Sequence, residues 1–561
     1  MKTVIFLAVL QAAALASTIH VPGDHATIQD GIDAAVNGDT VLVAPGTYNE
    51  DIDFLGKAIT VKSSGGSSAT VIAGTGTSSV VTFQDFEGRD SVLHGFTVRN
   101  GDPNGLQCLD AAPTIQHNRI TGHRAHGIQC TAPSFQEGPL IEYNTISANG
   151  GSGIDEFSDA VIRNNNISNN REFGIHSDHE SCALIEANTI SSNAFEGIRL
   201  LYANRSVVAG NTICDNARGI TCFYAWPEIY GNSIFNNSNN NYGGGILCYD
   251  YATCWIADNL IRDNEAALGG GIYLKEDSYC TLLNNTIVDN TATIMGGGVG
   301  VANYYGMGSP WATLTDCILR GNTAPNGPAL SIVDNSVVRI SYCNLEGGLS
   351  SVYLDTGYID WGDGMIDADP LFADPVNGDF RLQQDPCQPG VTNPCVDTGS
   401  RFSMNLNLHQ ASTRTDGVPD SGMADMGMHL GDYHLPVWST DTCRLSASTG
   451  GTITFSLRPG TGYAGRNYLV LGSVSGTVPG TPLPGGFVIL PLNWDVFTDL
   501  ALGLVNTPAF QEFMGQSPQF KTPLLQTGPF PGAAGISLYF AYTMNNPFDF
   551  ASHPMRIDIV P

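Results

Sequence analysis

Positive charge is scarce in this sequence. Its 561 residues carry 24 Lys and Arg against 53 Asp and Glu, a formal net charge of −29. A surface of that sign repels nucleic acid and anionic lipid over any long range, which removes both from the natural partners. Charge of either sign is thin, 14% of residues against roughly 25% in an average domain, which disfavours coiled coils, helical bundles and highly charged disorder. Beyond the N-terminus no run approaches the roughly 18 to 20 apolar residues of a membrane span. No Cys-x-x-Cys pair and no His/Cys cluster with zinc spacing occurs. The Gly-rich runs at 243–245, 269–271 and 296–298 lack the strand-to-helix setting of a phosphate loop. What abounds is turn chemistry, with 65 Gly and 30 Pro, the mark of a β-rich exported chain.

The N-terminus fits that setting. Met1-Lys2 is followed by an apolar run from Val4 to Leu15, and Ala14-Leu15-Ala16 has the small-x-small form of a secretory cleavage site. Residues 1–16 are expected to be a signal peptide and the mature chain to begin near Ser17, secreted or at the cell surface. Thirteen Cys suit an oxidising compartment, and the odd count leaves at least one unpaired in a monomer. Cys387 and Cys395 bracket a tight Pro/Gly loop and are expected to form a disulfide.

An internal repeat dominates the middle of the chain. Asn-x-Ile recurs at Asn118, Asn144, Asn165, Asn188, Asn211, Asn232, Asn259 and Asn285, with Ile-to-Ile steps of 21 to 27 residues. A second Asn follows most of these Ile residues three positions later, as at Asn149, Asn170 and Asn193, and then a Gly-Ile or Gly-Val step. Short alternating segments at this period, without a helical stretch, describe a solenoid. Asn and Gly tolerate the left-handed backbone that tight turns need, and stacked Asn side chains can hydrogen-bond along the axis. The predicted fold is all-β, a right-handed parallel β-helix solenoid followed by a small β-rich C-terminal domain.

Thr27-Ile-Gln-Asp-Gly-Ile-Asp-Ala-Ala35, then Gly38-Asp-Thr-Val-Leu-Val-Ala-Pro-Gly-Thr-Tyr48 and Gly95-Phe-Thr-Val-Arg-Asn-Gly101, resemble the N-terminal cap and first coil of the pectin lyase-like right-handed β-helix proteins. The resemblance covers roughly residues 18 to 350 and implies fold strongly and function weakly. That superfamily includes pectate lyases, pectin methylesterases, polygalacturonases, alginate lyases and epimerases, and many secreted repeat proteins without known activity. The catalytic Asp-containing strands of the methylesterases and the paired Asp of the polygalacturonases are not found in this sequence. The expected organisation is a cap and first coils over 17–100, repeats over 101–350, a closing segment over 351–435 and a C-terminal domain over 436–561. The closing segment resembles that of choice-of-anchor β-helix proteins and is expected to cap the open end of the solenoid. In the C-terminal domain a helix is predicted with Asn493 as N-cap, and a short helix restarting at Thr507-Pro508.

Strand alternation turns the repeat into a map of surface columns. With Ile at Gly+1 pointing inward, the outward column at Gly+2 reads Gln129, Asp155, His176, Arg199, Thr221, Leu247, Tyr273 and Gly300. Asp155, His176 and Arg199 thus stack on three coils with Asp178 beside them. Such a set suits uronan chemistry, Arg neutralising the sugar carboxylate while His or a carboxylate removes the C5 proton. The bland reading is a surface ion-pair ladder, since Glu142, Arg163 and Glu186 form a second alternating column. Phe157, His179, Tyr202, Phe223 and Tyr249 accompany the first column and form a candidate binding platform for sugar rings.

Other features read as structural. His117, His123 and His126 span a strand and a turn and read as turn residues. Cys222/Cys248 and Cys254/Cys280 read as inward stacks of small hydrophobes. The Asp-rich stretch from Asp360 to Asp379 offers oxygen ligands for Ca²⁺ without EF-hand spacing, so turn formation is the simpler role. The reading is a secreted or cell-surface monomer that binds polysaccharide on a lateral face; the alternative is a polyuronate lyase or C5-epimerase built on Asp155, His176, Asp178 and Arg199. No cofactor is required; Ca²⁺ stays open.

Overall fold

The computed structural model describes residues 16–561 except 132–137, 180, 203, 304–307, 384–392, 402, 407, 409–410, 416–417, 421, 430–437, 441–443, 458–465, 477–480, 484–488, 491, 504–509, 514–519 and 546–554. The expected signal peptide therefore falls almost wholly outside the described residues. No described helix is long and apolar enough to cross a membrane.

Three parallel sheets wind along one axis. Sheet 1 has 15 strands, running from Thr18–Val21 to Tyr358–Trp361; sheets 2 and 3 have 13 each. The later coils supply one strand to every sheet; after Thr18–Val21 a helix stands in place of the sheet 3 and sheet 2 strands. In one coil Thr145–Ser147 lies in sheet 3, Ile154–Phe157 in sheet 2 and Val161–Arg163 in sheet 1. A helix, α1 (Ile28–Ala34), closes the first coil, its N-cap Thr27 accepting from the Asp30 amide at 3.1 Å. Its buried Ile28 and Ile32 join the solenoid core.

That core is a set of aliphatic columns. Ile146, Ile167, Ile190 and Ile213 stack in register inside sheet 3, and Ile154, Ile175, Ile198 and Ile220 inside sheet 2, all fully buried. Burying each Ile contributes roughly 1.5–3 kcal/mol. The repeat Gly marks the corner where coils come closest. A Cβ on Gly174 would lie 2.4 Å from Ile190 Cγ2 and 2.5 Å from the Gly197 carbonyl oxygen, so no other residue fits there.

Two buried Asn ladders join the coils at the corners flanking sheet 3. In the first, Asn165 Nδ2 donates to Asn188 Oδ1 at 3.0 Å and to the Ile141 carbonyl at 2.8 Å, while its amide donates to Asn188 Oδ1 at 3.0 Å. The pattern repeats from Asn118 to Asn285, and in the second ladder from Asn149 to Asn322. The left-handed turn residue is not the ladder Asn, as the turn chemistry suggested, but the one before it: Tyr143, Asn164, Ala187 and Asp258 have φ of 56, 55, 54 and 53°. The side-chain amide is free to point inward and does so.

His123 begins the second ladder. Its amide donates to Asn149 Oδ1 at 3.3 Å, its Nδ1 accepts from the Gly101 amide at 2.9 Å and its Nε2 meets the Val98 carbonyl at 3.1 Å. The imidazole makes the bonds of an Asn amide, so both nitrogens are committed. Burial depresses its pKa to about 4, against the pull of the Val98 carbonyl. The interior also holds the carboxyl of Glu156, fully buried and accepting from the Ser158 amide at 2.9 Å and from the Ser177 and Ser181 hydroxyls. Burial raises it to about 7 against those hydrogen bonds.

The closing segment lies along the side of the solenoid rather than over its end. In earlier coils the outward residues of sheet 3 are mostly polar, as at Thr189 and Ser191; in later coils they include Leu260, Val288 and Ile318, all buried. Phe380, Leu382, Cys395 and Met426 cover them. The Met428 amide donates to Thr286 Oγ1 at 3.0 Å and Asn284 Nδ2 to the Asp425 carbonyl at 3.0 Å. The expected Cys387–Cys395 disulfide is corrected at one end. Cys395 is a buried free thiol, its Sγ 3.1 Å from Asn344 Nδ2, because the chain tucks it under sheet 3; Cys387 lies outside the described residues. Cys182 is disulfide-bonded.

The C-terminal region has its own buried cluster around Tyr468, Leu471, Phe540, Tyr542 and Ile557. A five-stranded sheet surrounds Asn467–Ser473 and Ser537–Asn545. Helix α2 spans Val496–Gly503 and is capped by Asp495, not Asn493: Asp495 Oδ1 accepts from the Phe497 and Thr498 amides at 2.9 and 3.1 Å. Gln511–Phe513 is a strand paired with Asn467–Leu469 where a second helix was predicted. Residues 504–509 lie outside the described ones.

Three measurements test these assignments. Asn188→Ala removes the acceptor of the buried Asn165 amide and the side-chain donor to the Ile162 carbonyl, and chemical unfolding should show a loss of about 1–3 kcal/mol. Because the folded pKa of His123 lies below its unfolded value, its contribution is present above about pH 6.5 and lost by about pH 4, a loss of about 3 kcal/mol. His123→Asn keeps the ladder and should remove that share of the pH dependence. Glu156 has the opposite sign: its contribution is present below about pH 4.5 and lost as pH rises to about 7. Glu156→Gln should therefore gain on the parent by about 3 kcal/mol between pH 4.5 and 8.

Candidate functional site

Sheet 2 delivers the Gly+2 column in register. Gln129 pairs with Asp155, Asp155 with His176, His176 with Arg199, and Arg199 with Thr221. The parallel ladder holds successive members about 4.8 Å apart at the backbone, close enough for direct side-chain bonds.

Asp155 is the hub. Its Oδ1 takes His176 Nδ1 at 2.8 Å and its Oδ2 takes Gln129 Nε2 at 3.1 Å, with His126 Nε2 at 3.8 Å. Burial alone would raise its pKa, but the His176 and Gln129 hydrogen bonds and the neighbouring imidazoles hold it below the ordinary carboxylate value. Asp155 is therefore an anion that fixes the ring of His176. In the neutral ring, Nδ1 donates to Asp155 and Nε2 keeps the lone pair. That Nε2 is buried and lacks a hydrogen-bond partner; Asp178 Oδ2 lies 3.9 Å away. Asp178 also holds His179, whose Nδ1 is 3.2 Å from Oδ1.

Arg199 stands one coil beyond His176. Its Nε is likewise buried without a hydrogen-bond partner, and among the described residues it pairs with neither Asp155 nor Asp178. Phe173 covers both groups, its ring 5.2 Å from that of His176 and 4.9 Å from the Arg199 guanidinium carbon. Beside them, Arg218 bonds Glu196 at 2.7 Å and Thr221 Oγ1 at 3.1 Å. On this face Asp155 and Asp178 hold the three imidazoles, Glu196 holds Arg218, and Glu276 lies 3.0 Å from Lys275 farther along.

A strip of rings leads away from this cluster. Centroid distances run 5.7 Å for Phe157–His179, 5.9 Å for His179–Tyr202, 5.1 Å for Tyr202–Phe223 and 4.7 Å for Phe223–Tyr249. Lys275 Nζ closes the row 5.0 Å from the Tyr249 ring. Tyr202 is 47% exposed, so the strip is open to solvent at its middle. The structure brings all nine sequence-derived residues of the face into one band.

The second charged column behaves as an ion-pair ladder on sheet 1. Arg163 Nε lies 2.8 Å from Glu142 and its NH1 3.8 Å from Glu186. The two columns differ in composition: here two glutamates share one arginine, whereas on sheet 2 Asp155 holds the His176 ring and Arg199 Nε is buried without a hydrogen-bond partner. Sequence reasoning took His126 for a turn residue and missed Phe173 and Arg218. His126, Phe173 and Arg218 all sit at the residue before the repeat Gly, so the same period read one position earlier exposes them. The Asp360–Asp379 stretch does not converge: Asp360 pairs with Arg339, Asp367 with Arg320 and Asp379 with Arg381.

Comparison with known proteins bears on the fold. Residues 134–240 and 228–358 match the family described as "Right handed beta helix region", and residues 18–176 match "Periplasmic copper-binding protein (NosD)". No curated protein matches the sequence. Among solved structures, the catalytic unit of a GH87 alpha-1,3-glucanase from Streptomyces thermodiastaticus is similar at 18% identity and a TM-score of 0.41, over 61% of this chain and 65% of that one. The Azotobacter vinelandii mannuronan C-5 epimerase AlgE4 A-module is similar at 14% identity and 0.34, over 62% and 96%. Pectate lyase Pel9A follows at 13% and 0.33, over 73% and 96%. Similarity of this order is no guide to activity.

Among the described residues of 18–176, no three imidazole or thiolate donors converge as a copper site would need. Copper prefers imidazole and thiolate donors, yet the cluster of three ligand side chains found there among the described residues is Asp53, Asp85 and Glu87. Glu87 is committed to the Gly56 and Asp85 amides, and His123 has both nitrogens in the Asn ladder. The three-sheet coil, its inward Ile and Asn columns and the matched repeat agree on one architecture: over residues 18–358 the chain is a right-handed parallel β-helix of the pectin lyase-like kind.

Proposed function

We propose that the protein binds polysaccharide along the sheet 2 face, outside the cytoplasm as its expected leader requires. The observation that carries this reading is the open strip from Phe157 through His179, Tyr202 and Phe223 to Tyr249. Exposed rings in a contiguous row mark an interaction surface, and a coil spacing of about 4.8 Å offers a stacking partner at each step along a glycan. Arg199, which pairs with no carboxylate among the described residues while Arg218 and Lys275 are held by Glu196 and Glu276, favours an acidic polymer over a neutral one.

A second reading rests on the two unpartnered atoms beside the strip. His176 Nε2, with its ring fixed by Asp155, is placed to accept a proton, and Arg199 Nε to meet a carboxylate. On a uronate, Arg199 would acidify the C5 proton and His176 would remove it, with Asp178 steadying the imidazolium. That is the opening step of a lyase or a C5-epimerase.

Proton NMR of the chain with alginate, pectate and a neutral glucan separates the two. Line broadening of an acidic polymer without new resonances is the expected result, and Tyr202→Ala should weaken binding about 3- to 10-fold. Olefinic or inverted-sugar signals that disappear in His176→Ala establish the second reading. Equal affinity for all three polymers, unmoved by Tyr202→Ala, overturns the binding face.

A further inference from the structure

The solenoid interior holds a group of thiols that neither the Asn ladders nor the glycan face uses. Cys222 and Cys248 are in-register partners on neighbouring strands of sheet 2, and Cys254 and Cys280 are the same on sheet 1. All four are buried free thiols. The Sγ atoms of Cys222, Cys248 and Cys254 lie within 4.8 Å of one another, and Cys248 Sγ is 3.4 Å from Cys254 Sγ.

Sheet geometry singles out the pair across the corner. Along a column, parallel strands about 4.8 Å apart point equivalent side chains the same way, so their Cβ atoms keep about that spacing. A relaxed disulfide holds its Cβ atoms about 3.5–4.5 Å apart with a steep twist about the S–S bond, which in-column pairs do not offer. Cys248 lies near the end of Ile246–Tyr249 in sheet 2, and Cys254 near the start of Thr253–Ala257 in sheet 1. The two sheets meet at the corner between them, so the inward side chains converge. At that corner Asp250 and Tyr251 have φ of 50 and 61°, a left-handed backbone that side chains disfavour. A covalent link across it holds a turn the backbone alone resists.

The surroundings favour a bond between the thiols over a metal ion held by them. The inward residues beside them, Ile246, Ala252, Ile256, Ile272 and Leu274, belong to the buried solenoid core. Three or four thiolates around a mono- or divalent ion would leave net negative charge in that core, which is costly without a partner. A disulfide is uncharged. The chain already carries one, at Cys182, and its expected leader sends it to a compartment where disulfides form.

We propose that Cys248 and Cys254 form a disulfide when the chain folds under oxidising conditions, while Cys222 and Cys280 stay thiols. The oxidant is a small-molecule or protein disulfide. Each cysteine gives up its thiol proton, the Cys248–Cys254 S–S bond forms, and the oxidant's own S–S bond is reduced to two thiols. The link staples the corner that presents Tyr249, the last ring of the strip, and Tyr251, which is 53% exposed. That consequence rests on the proposed glycan face; the link itself does not. The chain refolded in a glutathione redox buffer is alkylated in denaturant without reductant and digested with chymotrypsin. Peptides ending at Tyr249 and Trp255 should be joined by a disulfide, with Cys182 protected and Cys222 and Cys280 alkylated in the same digest. Cys222→Ser, which removes the in-column competitor of Cys254, should keep the link. Alkylated Cys248 or Cys254 in the parent chain, or a Cys222–Cys248 or Cys254–Cys280 link, overturns the proposal. A linked chain that broadens no polysaccharide signal overturns the glycan face alone.

Discussion

The structure depends on how buried polar groups are satisfied at the corners between coils. A parallel solenoid must turn its backbone sharply around sheet 3 in every coil, and each turn strands an amide and a carbonyl away from water. The Asn ladders meet both needs at once: each Oδ1 takes the amide and Nδ2 of the preceding coil, and each Nδ2 reaches a backbone carbonyl. The same bonds hold non-glycine residues such as Tyr143 and Ala187 at positive φ, a conformation costing roughly 1–2 kcal/mol per residue. Where the ladders end, other chemistry takes over the role. His123 starts one, and Cys317 and Cys343 finish the other, the Cys317 amide donating to Cys343 Sγ at 3.3 Å.

With the corners fixed, the sheets become a ruler. Parallel register places equivalent residues of successive coils side by side, so a column in the sequence is a line on the surface. This is why Asp155, His176 and Arg199 meet, and why Glu142, Arg163 and Glu186 meet on sheet 1. The columns differ in composition: the sheet 1 ladder sets two glutamates on one arginine, whereas the sheet 2 column sets His176 and Arg199 beside Asp155 and a row of rings, with His176 Nε2 and Arg199 Nε buried. One rule of register thus carries two columns of different chemistry.

The late coils depart from that regularity. Leu260, Val288 and Ile318 put apolar side chains where earlier coils carry Thr and Ser, and the surface they make requires a cover. The closing segment supplies it and brings His429, Asp420 and Asp425 against Asp258, Asn284 and Asp316. Those three corner residues occupy equivalent turn positions on successive coils. The flank of the solenoid is therefore both a packing surface and a row of polar anchors.

Periodicity made the coil legible from the sequence alone, because strand alternation and a 21- to 27-residue repeat leave few ways to pack Ile inward and Asn at the turns. It made the Gly+2 column legible for the same reason. Local patterns could not decide what happens at turns, where alternation breaks down: the contributions of Phe173 and His126 to the site, and the choice of Asp495 over Asn493 as a helix cap, depend on backbone geometry. Nor could they show that Cys395 is tucked under sheet 3 or that the closing segment lies alongside the coils. Both follow from contacts between residues tens to more than a hundred positions apart, as between Asn284 and Asp425. The sequence by itself determined the repeating unit, since that unit is held by its nearest neighbours along the axis. Only the tertiary structure decided the flank, since it arises where the repeat ends and distant segments compete for the same exposed face.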